Sequence, residues 1–228
     1  TGNAVDCDEQ KNLVVKAYNL LAADYELPRI HTHLVKRIPS QAGLGGGSAD
    51  AAYMIRLLDE RFRLNIGNPE MERYAAKLGA DCAFFITADP GDGDSASYAE
   101  GIGDVLMPVS VPNDNLSGKY IVVVKRDDIA VSTKEAYASI TPKKPAKCCR
   151  DIVRQPIDTW KDELVNDFEA PIFALHPELA EIKQKLYDLG AAYAAMSGSG
   201  SAIFGIFKHK PANIEEQFDG MFCKALRL

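Results

Sequence analysis

The sequence predicts an α+β protein of two domains, and three observations carry that expectation. Apolar residues recur at helical spacing in several windows, short apolar runs of strand length lie between those windows, and a glycine-rich loop joins a strand-like run to an amphipathic helix. A loop-like stretch at 108–118, "PVSVPNDNLSG", marks the expected boundary between domains at 1–108 and 109–228.

The first helix is expected at 12–23, "NLVVKAYNLLAA", where positions 13, 14, 17, 20 and 21 are apolar and Asn12 is placed to cap the start. Pro28 ends that region. "IHTHLVK" at 30–36 alternates in character and reads as a strand leading through Pro39 into the glycine loop. After Ser48, apolar positions 51, 52, 54, 55, 58 and 62 form one stripe, so a helix is expected over 48–62. A further helix near 69–78 stops at Gly79, and the apolar run 82–86 reads as a buried strand. Residues 88–97 read as a polar turn and 98–109 as a short hairpin or a strand beside it. The second half is expected to hold a strand at 120–125, a helix at 132–140 and a lysine- and proline-rich loop at 141–147. Helices near 150–168 and 177–189, a strand at 193–196, a second Gly/Ser loop, a strand at 202–207 and a last helix complete the pattern.

Composition narrows the function classes. The chain has 228 residues, 46% hydrophobic and 25% charged, an ordinary globular balance. Its apolar runs fall far short of the roughly 20 residues that span a bilayer. With a net charge of −6 and basic residues spread along the chain, it offers no concentrated basic surface for nucleic acid. The five cysteines are odd in number and none has CxxC spacing, which predicts reduced thiols and a cytoplasmic protein.

The stretch "KRIPSQAGLGGGSADAA" at 36–52 places four glycines within five residues directly before a helix. Glycine lets backbone approach a ligand closely, and a helix start presents unpaired N–H groups with partial positive charge, so the pair suits phosphate. The P-loop pattern fails because Gly47 is followed by Ser48 without a lysine, and the dinucleotide pattern started at Gly43 finds Ser48 where glycine is required. A phosphate loop of a third kind is the remaining expectation.

"PSQAGLGGGSADAA" resembles the second motif of the GHMP kinases. "LGADCAFFI" at 78–86 and "MSGSGSAIFGIF" at 196–207 are similar to later segments of the same superfamily, and "NLVVKAYNLL", "AEGIGD", "STKEAY" and "NDFE" fall in the family's order. The resemblance covers nearly the whole chain. It implies an N-terminal domain like the second domain of ribosomal protein S5, which binds ATP, and a ferredoxin-like C-terminal domain, with the active site in the cleft between them. Within the superfamily these stretches point to the branch that uses ATP and Mg²⁺ to phosphorylate the 2-hydroxyl of 4-diphosphocytidyl-2-C-methyl-D-erythritol, an isoprenoid precursor. The alternatives are a kinase of the homoserine or mevalonate type and a non-catalytic binding protein of the same fold.

The resemblance also implies roles for particular residues. Gly43, Leu44, Gly45, Gly46, Gly47 and Ser48 would wrap the ATP phosphates, with Ser48 near Mg²⁺. Asn12, Leu13, Lys36 and Pro39 would line the adenine pocket. Asp81 would be the catalytic aspartate, and Thr133, Gly198, Ser199 and Gly200 would face the substrate. Asp50 is expected to complement the helix dipole rather than to bind metal. The family's N-terminal lysine strand and its Asp-Gly-Tyr-His segment do not occur here, and a truncated chain is the expected reason. A monomer or homodimer is expected.

Overall fold

The computed structural model describes residues 1–3, 7–88 and 96–228. They form two compact units, one of Thr1–Ser40 with Gly45–Val109, the other of Gln41–Leu44 with Ser110–Leu228.

The first unit is built on helices α1 (Leu13–Ala22), α2 (Gly46–Phe62), α3 (Asn68–Leu78) and α4 (Phe84–Thr87), with a hairpin of β1 (Ser97–Glu100) and β2 (Val105–Pro108). Asn12 caps α1 as its sequence suggests, its side chain accepting the Val14 N–H at 2.9 Å. The apolar stripes of α1 and α2 meet in a core in which Leu21, Ile55 and Leu58 are fully buried. Burial of each such side chain contributes about 1.5–3 kcal/mol, and this core is what fixes the start of α2 in place.

Two strands expected in this unit are corrected. Among the described residues, 30–35 pair in no ladder, because a strand needs a neighbouring backbone; Lys36 makes a bridge, donating its N–H to Thr1 O at 2.9 Å and accepting from Asn3 N at 2.8 Å. The apolar run at 82–86 is a turn entering α4, with bonds from Cys82 N to Gly79 O at 3.1 Å and from Phe85 N to Cys82 O at 3.2 Å. A short buried run carries no periodicity to separate helix from strand, and here local bonds satisfy its backbone. The polar turn expected at 88–97 falls largely outside the described residues.

The second unit begins with α5 (Asn113–Leu116), β3 (Tyr120–Lys125), α6 (Thr133–Ser139), α7 (Cys149–Ile152), α8 (Trp160–Glu163), α9 (Glu169–Leu175) and α10 (Pro177–Asp188). It continues with β4 (Tyr193–Met196), β5 (Ile203–Phe207), α11 (Ile214–Gln217) and β6 (Phe222–Arg227). Its antiparallel sheet has the order β4-β5-β3-β6. With α10 between β3 and β4 and α11 between β5 and β6, this is the ferredoxin-like arrangement. Leu179, Ile182 and Leu186 of α10 pack on Val122, Val124 and Ile203 of the sheet.

The helix expected across 150–168 is broken into α7, a 3₁₀ turn at Ile157–Thr159 and α8. Pro156 has no N–H and disfavours helix at the residue before it, which separates the pieces. After α11 the chain adds the unexpected edge strand β6, which pairs with β3 from Tyr120↔Arg227 to Lys125↔Phe222.

Candidate functional site

In the first unit the functional groups gather at the start of α2. Gly45 is its N-cap, with φ +64° and no side chain bonded to the first-turn N–H groups. A methyl group on Gly45 would lie 2.9 Å from the Phe85 ring, so α4 packs directly beneath the loop. Leu13 Cδ1 would be 3.7 Å from a Cβ on Gly47, and Lys36 Nζ 3.2 Å from one on Gly46. Lys36 is 7% exposed, and its ammonium pairs with Asp50, the fifth residue of α2. The two charges compensate each other, so Asp50 is an ion-pair partner here, and Lys36 lies against the helix start. Pro39 is half-buried in the lead-in to the loop.

Ser48 and Asp81 both act on Cys82. Burial pushes the Cys82 thiol up, a hydrogen bond with Ser48 pulls it down, and the Asp81 carboxylate nearby raises it again. Asp81 is exposed, with Oδ1 3.6 Å from a Cβ built on Gly103 in the hairpin turn. The catalytic candidate and the hydroxyl at the helix start thus both act on one buried thiol.

In the second unit the loop after β4 is knitted to residues 41–44. Ser197 Oγ donates to Gly43 O at 2.9 Å. The N–H groups of Ser201 and Ala202 reach Gln41 O at 3.3 Å and Ala42 O at 3.0 Å. Ser201, 0% exposed, also donates its hydroxyl to Ile129 O at 2.7 Å. Thr133 Oγ1 stands 3.4 Å from Ser199 Oγ, so two substrate-side candidates that lie far apart in sequence are adjacent. Sequence reasoning singled out no role for Asn166 and Glu169, whose side chains bind this loop; the motif "NDFE" was the only signal of them.

The donor set bears on a metal. Among the described residues no three His, Cys, Asp or Glu side chains group into a cation site. Asp50 is paired with Lys36, which leaves the Ser48 hydroxyl as the ligand candidate at the loop. That fits an ion held mainly by phosphate oxygens and water, the usual habit of Mg²⁺.

A glycine-capped helix start beside an aspartate, followed by a ferredoxin-like unit, matches one family along the chain. The model for the GHMP kinases N terminal domain matches residues 12–89, and that for GHMP kinases C terminal matches residues 150–222. The chain belongs to the GHMP kinases. Its relatives include proteins named 4-diphosphocytidyl-2-C-methyl-D-erythritol kinase. That of Bacteroides fragilis is 45% identical over 98% of this chain and 78% of its own length. That of Bacteroides thetaiotaomicron is 46% identical over 100% of this chain and 80% of its own. A crystal structure of 4-(cytidine 5'-diphospho)-2C-methyl-D-erythritol kinase superposes with a TM-score of 0.77 at 27% identity, covering 100% of this chain and 83% of that one. Among the described residues no helix is long and apolar enough to cross a membrane.

Proposed function

We propose that this protein transfers the γ-phosphate of ATP to the 2-hydroxyl of 4-diphosphocytidyl-2-C-methyl-D-erythritol in the cytoplasm. The observation that carries the reading is the open, glycine-capped start of α2, with Ser48 hydrogen-bonded to the Cys82 thiol and Asp81 its chain neighbour. The N–H groups of the first turn of α2, which no side chain caps, supply positive potential for phosphate oxygens. The Ser48 hydroxyl would help hold Mg²⁺, which would supply charge neutralisation for the phosphoryl group. Asp81 accepts the proton of the 2-hydroxyl as that oxygen bonds to phosphorus and the bond to ADP breaks. Asn12, Leu13, Lys36 and Pro39 belong to the adenine side. Thr133, Gly198, Ser199 and Gly200 face the substrate, and 1–108 and 109–228 serve as the nucleotide and C-terminal domains.

The test is a coupled ADP-release assay on the natural full-length protein. Turnover with this substrate, and its competitive inhibition by a cytidine diphosphate fragment, is the expected outcome; absence of ADP release would sink the reading. Asp81→Asn is expected to lower kcat by about 10²–10⁴-fold with the circular dichroism spectrum unchanged. Residual activity within a factor of three of wild type would remove Asp81 from the reaction.

A further inference from the structure

One side chain binds two carbonyls of the Gly/Ser loop. Asn166 Nδ2 donates to Met196 O and to Gly198 O, each at 2.8 Å. Its Oδ1 accepts the Phe168 N–H at 2.9 Å, which fixes the orientation of the amide, acceptor toward α9 and both donor hydrogens toward the loop. Three residues on, Glu169 is only 8% exposed. Its Oε1 accepts the Met196 N–H at 2.8 Å, and its Oε2 pairs with Lys183 of α10 at 2.5 Å. Met196 therefore has both its N–H and its carbonyl bound by the segment 166–169.

These bonds restrain a loop that its own sequence leaves loose. Gly198 and Gly200 have φ of +54° and +94°, and glycine surrenders more conformational freedom than any other residue when one conformation is required. Asn166 also engages the carbonyl oxygens of Met196 and Gly198, which would otherwise be free to turn toward an anion and repel it. Lys183 compensates the buried Glu169 charge that completes the clamp.

We propose that Asn166 and Glu169 are positioning residues that set the Gly198–Ser199–Gly200 backbone in its ligand-binding conformation before any ligand arrives. The ordering cost is met in folding rather than in binding. The proposal rests on the reading that this loop meets the phosphorylated substrate.

Asn166→Asp tests it, because it keeps the shape and the acceptor for Phe168 N while replacing two donors with an oxygen that faces two carbonyls. Asn166→Ser is the second variant, neutral and too short to reach the loop. In the natural full-length enzyme without ligand, each is expected to speed amide hydrogen exchange across 196–201 about 10-fold or more. Each should lower kcat/KM about 10–100-fold, chiefly through KM for the diphosphocytidyl substrate, with Tm within a few degrees of wild type. Unchanged loop exchange in the variant that folds would overturn the proposal, as would a fall in kcat that only tracks lost folded protein with KM unchanged. Should wild type release no ADP with this substrate, the functional reading falls and takes the effect on turnover with it. The exchange measurement, made without substrate, would still decide whether Asn166 orders the loop.

Discussion

A methyl group on Gly43 would lie 1.9 Å from the carbonyl oxygen of Ser197, at a φ of +70° that L side chains rarely adopt. The obstacle is backbone, so it has no flexible end to move aside. Gly43→Ala is expected to destabilise the protein by at least about 1–3 kcal/mol, read from the urea midpoint, and to abolish most turnover. Asp50 answers a different requirement. Removing its charge by Asp50→Asn leaves the buried Lys36 ammonium without a carboxylate, and a loss of about 3–5 kcal/mol is the upper expectation, reduced because Asp50 itself is partly exposed. A thermal melt of the variant measures it. At this scale the glycines of the loop were legible, because their crowding before an amphipathic helix has few other physical uses. The Lys36–Asp50 pair and the Asn166 clamp were not, since both join residues distant in sequence and no local pattern records them.

Elements were legible where a period runs long enough to be counted. The stripes of α1, α2 and α10 stand within a residue or two of their expected limits. The short runs at 30–36 and 82–86 misled for one reason, that alternation and apolarity describe faces while only partners decide strands. Edge strand β6 escaped notice because its "FCKALR" is mostly exposed and lacks a buried face beyond Cys223. That cysteine gives β6 a pH signature. Burial pushes its thiol from the ordinary 9.0 up to about 11, with Glu215 adding to the effect. The unfolded chain then releases this proton first, so between those values the native state holds more protons. The stability it contributes is intact below pH 9 and is lost as pH rises through about 11. Urea midpoints across that window should fall less steeply for Cys223→Ala than for wild type; parallel curves would count against the native thiol being protonated there.

Across the whole molecule the buried residues divide into cores that follow the two units. One core is centred on Leu21, Ile55 and Leu58, and the other unit contains the α10 core and a smaller one around Trp160 and Tyr193. Leu58→Ala and Leu186→Ala should each cost about 2–5 kcal/mol, with hydrogen exchange accelerated in the core that loses the side chain. Membership of the GHMP kinases was legible at this scale because its motifs are short, ordered and spread over the chain. One feature of this organisation acts in time rather than in space. Gly43 and its partner Ser197 are 154 positions apart. At a synthesis rate of about 5–20 residues per second, the glycine loop leaves the ribosome on the order of ten to thirty seconds before the backbone it bonds to exists. Through that interval a nascent chain carries the loop unanchored, and the setting of residues 41–44 belongs to the late steps of folding, however early they are translated.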